Sequence, residues 1–408
     1  MSEAGGAVVL DGVPDPVRQL VEELGAAGHP SYLVGGCIRD LLRGEAPGDF
    51  DVATAASPES VLHLFPRAIP IGIRHGTVMV PTPSGPVDVT SFRGGPSLGD
   101  DLAHRDFTVN AIAYDPTSGE LVDPFEGRAD LAKGRLRAVG SARERLAEDP
   151  LRALRAARLA AWLGLEVDPE VESALAGCIE PLRSVARERV RQELTALILA
   201  PQVTRGLELL RRAGIDRDLA PNAAADAPEV VAALPCDLEL RLAAWLRGTR
   251  ATRILRQLRF SRATSERVEA LLRRHPVELG VDATRDASVR RHLRRVGEER
   301  VAALLALRRA ELTVGDDARS PRVGELRERL DAVQAAFRRV EEQGELALHR
   351  KALAIGGAEV MQLLDLPPGR DVGRALAHLT DLVVEDPERN DPQTLRKLLR
   401  AWAQALER

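Results

Sequence analysis

Two aspartates stand one residue apart near the start of the chain, shortly after a pair of glycines. Asp49 and Asp51 lie within the run GDFDV at residues 48–52, and Gly35 and Gly36 precede them. Residues i and i+2 of a strand point to the same face, so both carboxylates can reach one cluster of cations. Glycines let the backbone approach a phosphate closely. Mg²⁺ held beside such a turn suits nucleotidyl transfer, because metal ions stabilise both the attacking and the leaving oxygen. Alternatively, the aspartates only flank a turn.

Several further motifs occur in the order found in one enzyme family. Residues 33–44 (LVGGCIRDLLRG) and 49–54 (DFDVAT) resemble the signature of the class II tRNA nucleotidyltransferases. This family comprises the CCA-adding enzymes and their poly(A) polymerase relatives within the DNA polymerase β superfamily. The other stretches that resemble it are HGTV at 75–78, VDVTSFR at 87–93, RDFTVNAIA at 105–113, EDPLR at 148–152 with Arg155, RERV at 187–190 with Glu193, PPG at 367–369 and EDPERN at 385–390. The resemblance spans most of the chain.

The resemblance implies an α/β head of the DNA polymerase β nucleotidyltransferase type, followed by an all-α neck, body and tail. The hydrophobic pattern agrees, because helices alternate with strands up to about residue 140 and helical stripes replace strand signals from about residue 144. We therefore expect a catalytic head at 1–143, a helical neck with the base-reading motif at 144–200, and a helical body at 201–310. A helical tail at 311–408 would bind tRNA together with the body.

Three carboxylates of the head are candidate catalytic groups. The resemblance implies that Asp49 and Asp51 hold two Mg²⁺ ions, which activate the 3′-hydroxyl of tRNA and neutralise the triphosphate. Asp88 lies on a neighbouring predicted strand and would be the third carboxylate. The alternative for Asp88 is a strand aspartate that faces solvent.

The resemblance also assigns residues to the phosphates and the ribose of the nucleotide. Gly35, Gly36 and Arg39 would contact phosphates, and we expect Asp40 to support Arg39 or to cap a helix. Arg105 would bind the triphosphate, with Asp106 and Asn110 available to the ribose. The family usually carries two arginines before this aspartate, and here His104 replaces the first. One phosphate contact is therefore in doubt.

Asp149, Arg152 and Arg155 form the candidate base-reading group. Two residues three apart on a helix share one face, so Asp149 and Arg152 would present an acceptor beside a fork of donors. Cytosine and adenine offer an amino group to the carboxylate, whereas uracil and guanine offer a carbonyl oxygen. A mismatched buried group costs about 1–3 kcal/mol, so side chains alone could select C and A. Alternatively, Asp149 caps a helix with Pro150 at its first position, and Arg152 forms a surface ion pair.

Arginine-dense helices beyond residue 180 are the candidate tRNA surface. Arginine contacts to phosphate position an RNA without reading its sequence. The candidates are Arg187, Arg189 and Arg191 in one group and Arg290, Arg291 and Arg294 in another. The alternative for each group is a solvated helix face.

The composition is that of an ordinary globular protein of several units. The chain has 408 residues, of which 44% are hydrophobic and only 3% aromatic, with a formal net charge of −4. This balance argues against indiscriminate binding of nucleic acid, although it can conceal a basic face. Cys37, Cys178 and Cys236 lack the spacing of a zinc or disulfide framework and indicate reduced thiols in a cytoplasm. No segment has the length and hydropathy of a membrane span or signal core.

The connection at residues 94–104 (GGPSLGDDLAH) decides the expected product. It is shorter than in CCA-adding members and holds three glycines. In the family, a shortened connection is associated with enzymes that add two cytidines and stop, because the connection acts as a lever on the base-reading face. We therefore expect CMP addition from CTP to the 3′ end of tRNA, and a separate A-adding enzyme in the same cell. The alternatives are full CCA addition with CTP and ATP, a poly(A) polymerase, a small-molecule nucleotidyltransferase, or a catalytically dead RNA-binding protein.

Overall fold

The computed structural model describes residues 10–72, 76–314, 320–343 and 353–406, and the chain divides into two compact units, Met1–Pro221 and Asn222–Arg408. His75, at the start of one family-like stretch, lies outside the described residues. The nine strands of the described residues are β1 Ser31–Val34, β2 Phe50–Thr54, β3 Ile69–Gly72, β4 Thr77–Thr82, β5 Gly85–Ser91, β6 Ala113–Tyr114, β7 Leu121–Val122, β8 Arg135–Leu136 and β9 Glu166–Val167.

The helices of the first unit surround and extend its sheet. They are α1 Asp15–Ala26, α2 Gly36–Leu42, α3 Pro58–Leu64, α4 Leu98–Ala103, α5 Gly127–Ala132, α6 Ala142–Glu148, α7 Arg152–Leu163, α8 Pro169–Ala174, α9 Ile179–Leu182, α10 Arg187–Ile198, α11 Val203–Arg212 and α12 Ile215–Leu219.

The described part of the second unit is built from helices. They are α13 Ala227–Ala232, α14 Leu238–Trp245, α15 Ala251–Gln257, α16 Arg262–Arg274, α17 Asp286–Val296, α18 Glu298–Thr313, α19 Pro321–Glu342, α20 Gly357–Leu364, α21 Arg370–Glu385 and α22 Pro392–Leu406. Among the described residues, no helix is both long and apolar enough to cross a membrane.

Seven strands of the first unit form one mixed sheet in the order β3-β4-β5-β2-β1-β6-β7. Its central pair, β2 and β5, is parallel, and its other neighbouring pairs are antiparallel. The strands β8 and β9 form a separate parallel pair. A mixed-sheet head followed by helices confirms the fold class that the sequence predicts.

The two faces of this sheet are covered by different elements. Leu33 of β1 and Val52 of β2 lie in the same core as the α1 stripe Val17, Leu20, Val21 and Leu24, all of them buried. The next residue of each strand points to the other face, as strand geometry requires. There Val34 and Ala53 pack with Leu102 of α4. The helix α4 thus belongs to the core of the head, although the sequence suggested a short connection rich in glycine.

Helix starts in the head follow the local sequence. Ser57 caps α3 by accepting a hydrogen bond from the backbone N–H of Ser60, with Pro58 at the first helical position, as its sequence predicts. Ser97 caps α4 within a reciprocal capping box with Asp100. These polar caps allow two short helices to begin at fixed residues.

The three cysteines are free, as their spacing predicts. The Cys37 thiol is buried and donates to the carbonyl oxygen of Val34 over 3.2 Å, and burial raises its pKa to about 11. It therefore fills space beneath the glycine turn as a neutral group.

Candidate active site

Three carboxylates converge where β2 and β5 run side by side. The parallel register sets Asp51 directly opposite Asp88, and Asp49 lies immediately before the first residue of β2. Burial raises the pKa of Asp51 to about 6, and the charge of Asp49, followed by a smaller effect of Asp88, adds to the rise. Burial and Asp49 also raise the pKa of Asp88. The head therefore concentrates negative charge at one place, as strand geometry predicts.

This concentration of carboxylate oxygens fits a hard divalent cation. Among the described residues, no group of three or more His, Cys, Asp or Glu side chains lies close enough to form a complete metal site. Mg²⁺ is commonly bound by one or two carboxylates together with the phosphates of a substrate, and it does not require an all-protein cage. Asp49 and Asp51 fit that incomplete type of site, because a positive ion would relieve the repulsion that raises the pKa of Asp51.

The glycine turn lies between these carboxylates and a guanidinium group. Gly35 has φ 80° and ψ −136°, a backbone conformation that L side chains rarely adopt. A Cβ atom added to Gly35 would lie 2.9 Å from Nη1 of Arg105 and 3.8 Å from Oδ2 of Asp51. Glycine is therefore required here for both its conformation and its lack of a side chain. Gly36 is partly exposed at this turn, whereas Gly35 is buried and its backbone N–H donates to the carbonyl oxygen of Ile112 over 3.3 Å.

Arg39 projects from α2 and is held on two sides. Its Nε donates to Oδ1 of Asp40 over 2.9 Å, and its Nη1 donates to Oδ1 of Asn110 over 2.7 Å. The contact with Asp40 confirms the prediction that Asp40 supports Arg39. The side chain of Asn110 thus orients Arg39, whereas the family resemblance predicts that it contacts the ribose.

Asp106 is an internal anchor in this structure. It is buried and accepts hydrogen bonds from the backbone N–H of Phe107, from Nδ2 of Asn110 and from Nη1 of Arg155, over 2.8, 3.1 and 2.9 Å. Burial alone would raise its pKa, but the charge of Arg155 and these hydrogen bonds hold the pKa below its usual value. The expected contact of Asp106 with the ribose is therefore replaced by contacts within the protein.

Arg155 belongs to a chain of ion pairs that joins three elements. Besides Asp106, its Nε contacts Oε1 of Glu193 on α10 over 3.4 Å. The other oxygen of Glu193 accepts from Nε of Arg158 over 2.6 Å. Glu193 comes from a stretch that the sequence predicted as a helix, and α10 confirms that prediction. The network fixes α7, which carries the arginines predicted to read the base, against α10.

Asp149 does not share a helix with Arg152. It lies between α6 and α7 with φ −141° and ψ 102°, and α7 begins only at Arg152. The prediction that the pair shares one helical face is therefore wrong, because Pro150 follows Asp149 and disfavours helical backbone there. One carboxylate oxygen of Asp149 accepts from the backbone N–H of Leu151 over 3.1 Å, and the other accepts from Nη2 of Arg189 over 2.8 Å.

Arg152 is held by groups other than Asp149. Its Nη1 donates to Oε2 of Glu148 and to the carbonyl oxygen of Arg145, each over 2.8 Å. Its Nη2 donates to the carbonyl oxygen of His104 over 2.9 Å. The start of α7 is thus tied to the residue that follows α4. The connection at 94–104 and Arg152, the arginine predicted to read the base, are in direct contact.

His104 turns back onto its own segment. Its Nδ1 lies 2.8 Å from the carbonyl oxygen of Asp100, and a Cβ atom added to Gly94 would overlap its imidazole ring. Gly94 has φ 78° and therefore favours glycine for its backbone conformation as well. The imidazole that replaces an arginine of the family thus joins the two ends of the 94–104 segment.

One carboxylate of this region was missed by the sequence analysis. Asp101 on α4 is fully buried and lies between two arginines. Its Oδ1 accepts from Nε of Arg93 over 3.0 Å, and its Oδ2 accepts from Nη2 and Nε of Arg105 over 2.9 and 3.1 Å. The spacing of Asp101 and Arg105, four residues apart, could have indicated the second contact. Nothing in the sequence brings Arg93 to the same side chain.

The first group of candidate RNA-binding arginines lies on α10. The side chain of Arg189 is 50% exposed and pairs with Asp149, which links this group to the base-reading residue. Arg187 donates to the carbonyl oxygen of Arg183 over 3.1 Å, and Arg191 is half-buried. The group remains a candidate surface for phosphates.

The second group, on α17 of the second unit, is divided by burial. Arg290 is buried and donates to the carbonyl oxygens of Val384 and Glu385 over 2.7 and 3.0 Å. Its assignment to RNA binding is wrong, because its guanidinium group satisfies the end of α21. Arg291 pairs with Glu385 over 2.8 Å and Arg294 with Asp381 over 2.6 Å, both at the surface.

Comparison with known proteins places the chain in a family. Three family models match successive parts of it: the poly A polymerase head domain at residues 31–137, the RNA- and SrmB-binding site of polymerase A at 164–226, and tRNA nucleotidyltransferase domain 2 at 239–399. A CCA-adding enzyme of Limosilactobacillus fermentum is 31% identical over 413 residues, which cover 94% of this chain and 96% of that protein. The chain belongs to the class II tRNA nucleotidyltransferase and poly(A) polymerase family.

Two further members of the family are similar to parts or the whole of the chain. A CC-adding tRNA nucleotidyltransferase of Shouchella clausii is 41% identical over 194 residues, 48% of this chain and 51% of that protein. The chain thus spans about half the length of this and several other curated relatives that it matches. The crystal structure of the Bacillus stearothermophilus CCA-adding enzyme in complex with CTP superposes with a TM-score of 0.76 at 28% identity, covering 97% of this chain and 99% of that one.

Proposed function

We propose that this protein adds nucleotides from CTP to the 3′ end of tRNA without a nucleic-acid template. The observation that carries the proposal is the convergence of Asp49, Asp51 and Asp88 beside the turn at Gly35. The named activities of the relatives, which are CCA addition and CC addition, support it. We also propose that the protein acts in the cytoplasm, where tRNA and CTP are available.

Asp49 and Asp51 would hold Mg²⁺, which supplies charge stabilisation for the attacking and leaving oxygens of the transfer. Asp88 lies beside them on β5 and would face the tRNA 3′-hydroxyl. The hydroxyl oxygen would lose its proton to solvent and form a bond to the α-phosphorus of CTP, while the bond between the α-phosphorus and its bridging oxygen breaks and pyrophosphate leaves. Arg39, Arg105 and the turn at Gly35 and Gly36 would bind the triphosphate, and the two arginines are held by Asp40, Asn110 and Asp101.

Asp149 and Arg152 would read the base in this proposal, with Arg155 supporting α7 behind them. Asp149 accepts the amino group of cytosine, and Arg152 donates to the ring nitrogen and carbonyl oxygen. Arg189 pairs with Asp149 over 2.8 Å, and Glu148 keeps the guanidinium plane of Arg152 in one orientation. The two side chains act from a turn and a helix start, so their spacing depends on how α6 and α7 meet.

We further propose that addition stops after two cytidines. The connection at 94–104 is folded into α4, which is closed by a capping box and anchored in the core through Leu102. The carbonyl oxygen of His104 at its end binds Arg152. A short, anchored connection leaves the base-reading side chains in one arrangement and opposes the shift that a purine needs. The cell would then need a separate A-adding enzyme. Full CCA addition, using ATP as well, is the alternative, and the name of the Limosilactobacillus fermentum relative favours it.

The test uses three tRNA transcripts that end at the discriminator base, at C and at CC. The purified protein is incubated with Mg²⁺, CTP and ATP, and the products are resolved at single-nucleotide resolution. We expect two cytidines on the first transcript, one on the second and no extension of the third. The variant Asp51→Ala, handled in parallel, shows whether the products come from this site.

Each other outcome selects an alternative. Efficient addition of A to the CC-ended transcript would leave a full CCA-adding enzyme. Long adenosine tails would indicate a poly(A) polymerase. Failure to add C to any transcript, by protein that still binds tRNA, would leave an RNA-binding protein with an inactive head.

A further inference from the structure

We infer that Asp101 is a positioning residue that directs Arg93 and Arg105 toward the phosphates of the nucleotide, an inference that rests on the proposed nucleotidyl transfer. Asp101 lies on α4, and its side chain is 1% exposed. A fully buried carboxylate is stable only when it is paired and hydrogen-bonded. Both of its oxygens are used, one by each arginine.

The hydrogen bonds to Asp101 use only some of the N–H donors of each guanidinium group. Asp101 accepts a hydrogen bond from Nε of Arg93 and another from the backbone N–H of Arg93, the latter over 3.3 Å. Asp101 also accepts hydrogen bonds from Nε and Nη2 of Arg105. The other terminal nitrogen of Arg105, Nη1, donates to the carbonyl oxygen of Asn110 over 3.5 Å and lies 2.9 Å from the place that a Cβ of Gly35 would occupy. Arg105 therefore holds Nη1, which carries a second N–H, at the glycine turn, where the proposed function requires a phosphate.

The charges around the site explain why such an anchor is needed. Nη1 of Arg105 and Oδ2 of Asp51 lie 2.9 and 3.8 Å from one point, the place that a Cβ of Gly35 would occupy, and Arg93 shares Asp101 with Arg105. Without a competing anion, these two cations would be drawn onto Asp49, Asp51 and Asp88, the carboxylates proposed to bind Mg²⁺. Asp101 supplies that anion on the opposite side. It keeps two positive groups near the phosphate position while leaving the catalytic carboxylates available.

The position of Asp101 is itself determined by the core. Leu102, the next residue of α4, is buried against the sheet with Val34 and Ala53. The capping box of Ser97 and Asp100 fixes where α4 starts. The carboxylate is therefore attached to the same sheet that carries Asp51. Arginine side chains are long and flexible. Because Asp101 holds Arg93 and Arg105 in place, less side-chain conformational entropy is lost when a phosphate binds.

The test compares Asp101→Asn with Asp100→Asn, its exposed neighbour on the same helix. Asp100 supports the helix start but contacts neither arginine. Binding of inorganic pyrophosphate with Mg²⁺, and of CMP as a ligand without the triphosphate, is measured by calorimetry, together with thermal unfolding. The KM values for CTP and for tRNA are measured on the same proteins.

We expect Asp101→Asn to weaken pyrophosphate binding and to raise the KM for CTP by about tenfold or more, as the loss of a charge-assisted hydrogen bond predicts. The affinity for CMP and the KM for tRNA should stay within about twofold, and Asp100→Asn should bind pyrophosphate as the wild type does. Asp101→Glu, which keeps the charge, should recover part of the affinity. Wild-type pyrophosphate binding by Asp101→Asn would overturn the inference, and so would an equal loss in both Asn variants.

A second variant covers the case in which Asp101→Asn does not fold. The side chain of Arg93 is 47% exposed, so Arg93→Gln should fold. The inference predicts weaker pyrophosphate binding by this variant with unchanged CMP binding, and wild-type binding would overturn it. Pyrophosphate binding does not involve tRNA. A wild-type protein that binds pyrophosphate but adds no nucleotide to tRNA therefore refutes only the proposed function.

Discussion

Arginines of the head and arginines of the second unit are used in opposite ways. In the head, Arg93 and Arg105 share the buried carboxylate of Asp101, and Nη1 of Arg105 lies near the glycine turn. In the second unit, Arg290 is buried, and it donates to the carbonyl oxygens at the end of α21. We propose that the first arrangement orients a charge for a ligand, whereas the second provides hydrogen bonds within the protein.

A second buried group in the helical unit follows the same pattern. Arg308 pairs with the fully buried Glu278 and with Glu311, and Arg247 pairs with Glu311 and Asp226. Such pairs link helices and are costly to break once one partner is removed. The comparison teaches that an arginine-rich helix indicates RNA binding only after the partners of each guanidinium group are known. Substitutions of the candidate site residues in the head should therefore change nucleotide incorporation. Substitutions of buried arginines in the second unit should change the free energy of unfolding.

The largest effect is expected for Asp51→Ala. Loss of a metal ligand removes several kcal/mol of transition-state stabilisation, so nucleotide incorporation should fall about a thousandfold or more. The free energy of unfolding should not fall, because Asp51 lies beside two other carboxylates and its removal relieves repulsion. Incorporation of CMP, tRNA binding and denaturant unfolding are the measurements. Asp15→Ala, at an exposed site at the start of α1, is the control. Substantial turnover by Asp51→Ala would end the proposed role of this aspartate.

A smaller change in chemistry is expected for Arg152→Ala. If its fork reads cytosine, the ratio of CTP to UTP incorporation should fall about tenfold, as the loss of one hydrogen-bonding partner predicts. Affinity for tRNA should stay close to that of the wild type. Single-nucleotide incorporation with each nucleotide is the measurement. Arg143→Ala, an exposed change on α6, is the control. An unchanged ratio would make Arg152 a structural residue that ties α7 to α4.

Arg290→Ala tests the other side of the comparison. Removal of its guanidinium group leaves the carbonyl oxygens of Val384, which is buried, and of Glu385 without that donor, so the free energy of unfolding should fall by about 2–3 kcal/mol. Arg291→Ala is the control, because it removes a half-exposed ion pair with Glu385 and should cost less than about 1 kcal/mol. Denaturant unfolding measures both values. If Arg290→Ala instead weakens tRNA binding at unchanged stability, the distinction between the two regions fails.

The smallest effect is expected for Gly94→Ala. The new Cβ would overlap the ring of His104, and φ 78° is unfavourable for alanine, so stability should fall by about 1–2 kcal/mol. Gly99→Ala is the control, since the nearest atom to its Cβ would be Oγ of Ser97 at 3.7 Å and alanine favours the helix. Thermal unfolding measures both. Displacement of His104 should also loosen its carbonyl from Arg152, and a changed CTP to UTP ratio in Gly94→Ala alone would show that coupling.

Much of the head could be predicted because its signals are local. The apolar stripe of α1, the cap at Ser57 and the alternation along β2 and β5 depend on residues that are neighbours in the sequence. Asp149 shows the limit of such reasoning. Its spacing of three residues from Arg152 suggested that the two share one helical face, but Pro150 keeps Asp149 out of the helix. His104 shows a second limit. Its ring contacts Gly94, ten residues earlier, and no sequence periodicity predicts this contact.

The sequence by itself determined the family, the fold class and the identity of the candidate catalytic carboxylates, because motifs and strand periodicity are properties of short segments. Only the tertiary structure decided which charged groups face a ligand. Asp101 receives Arg93 from the end of one strand and Arg105 from the following motif, and Asp106 receives Arg155 from a helix 49 residues away. Charges act through space, so their partners depend on how distant segments pack.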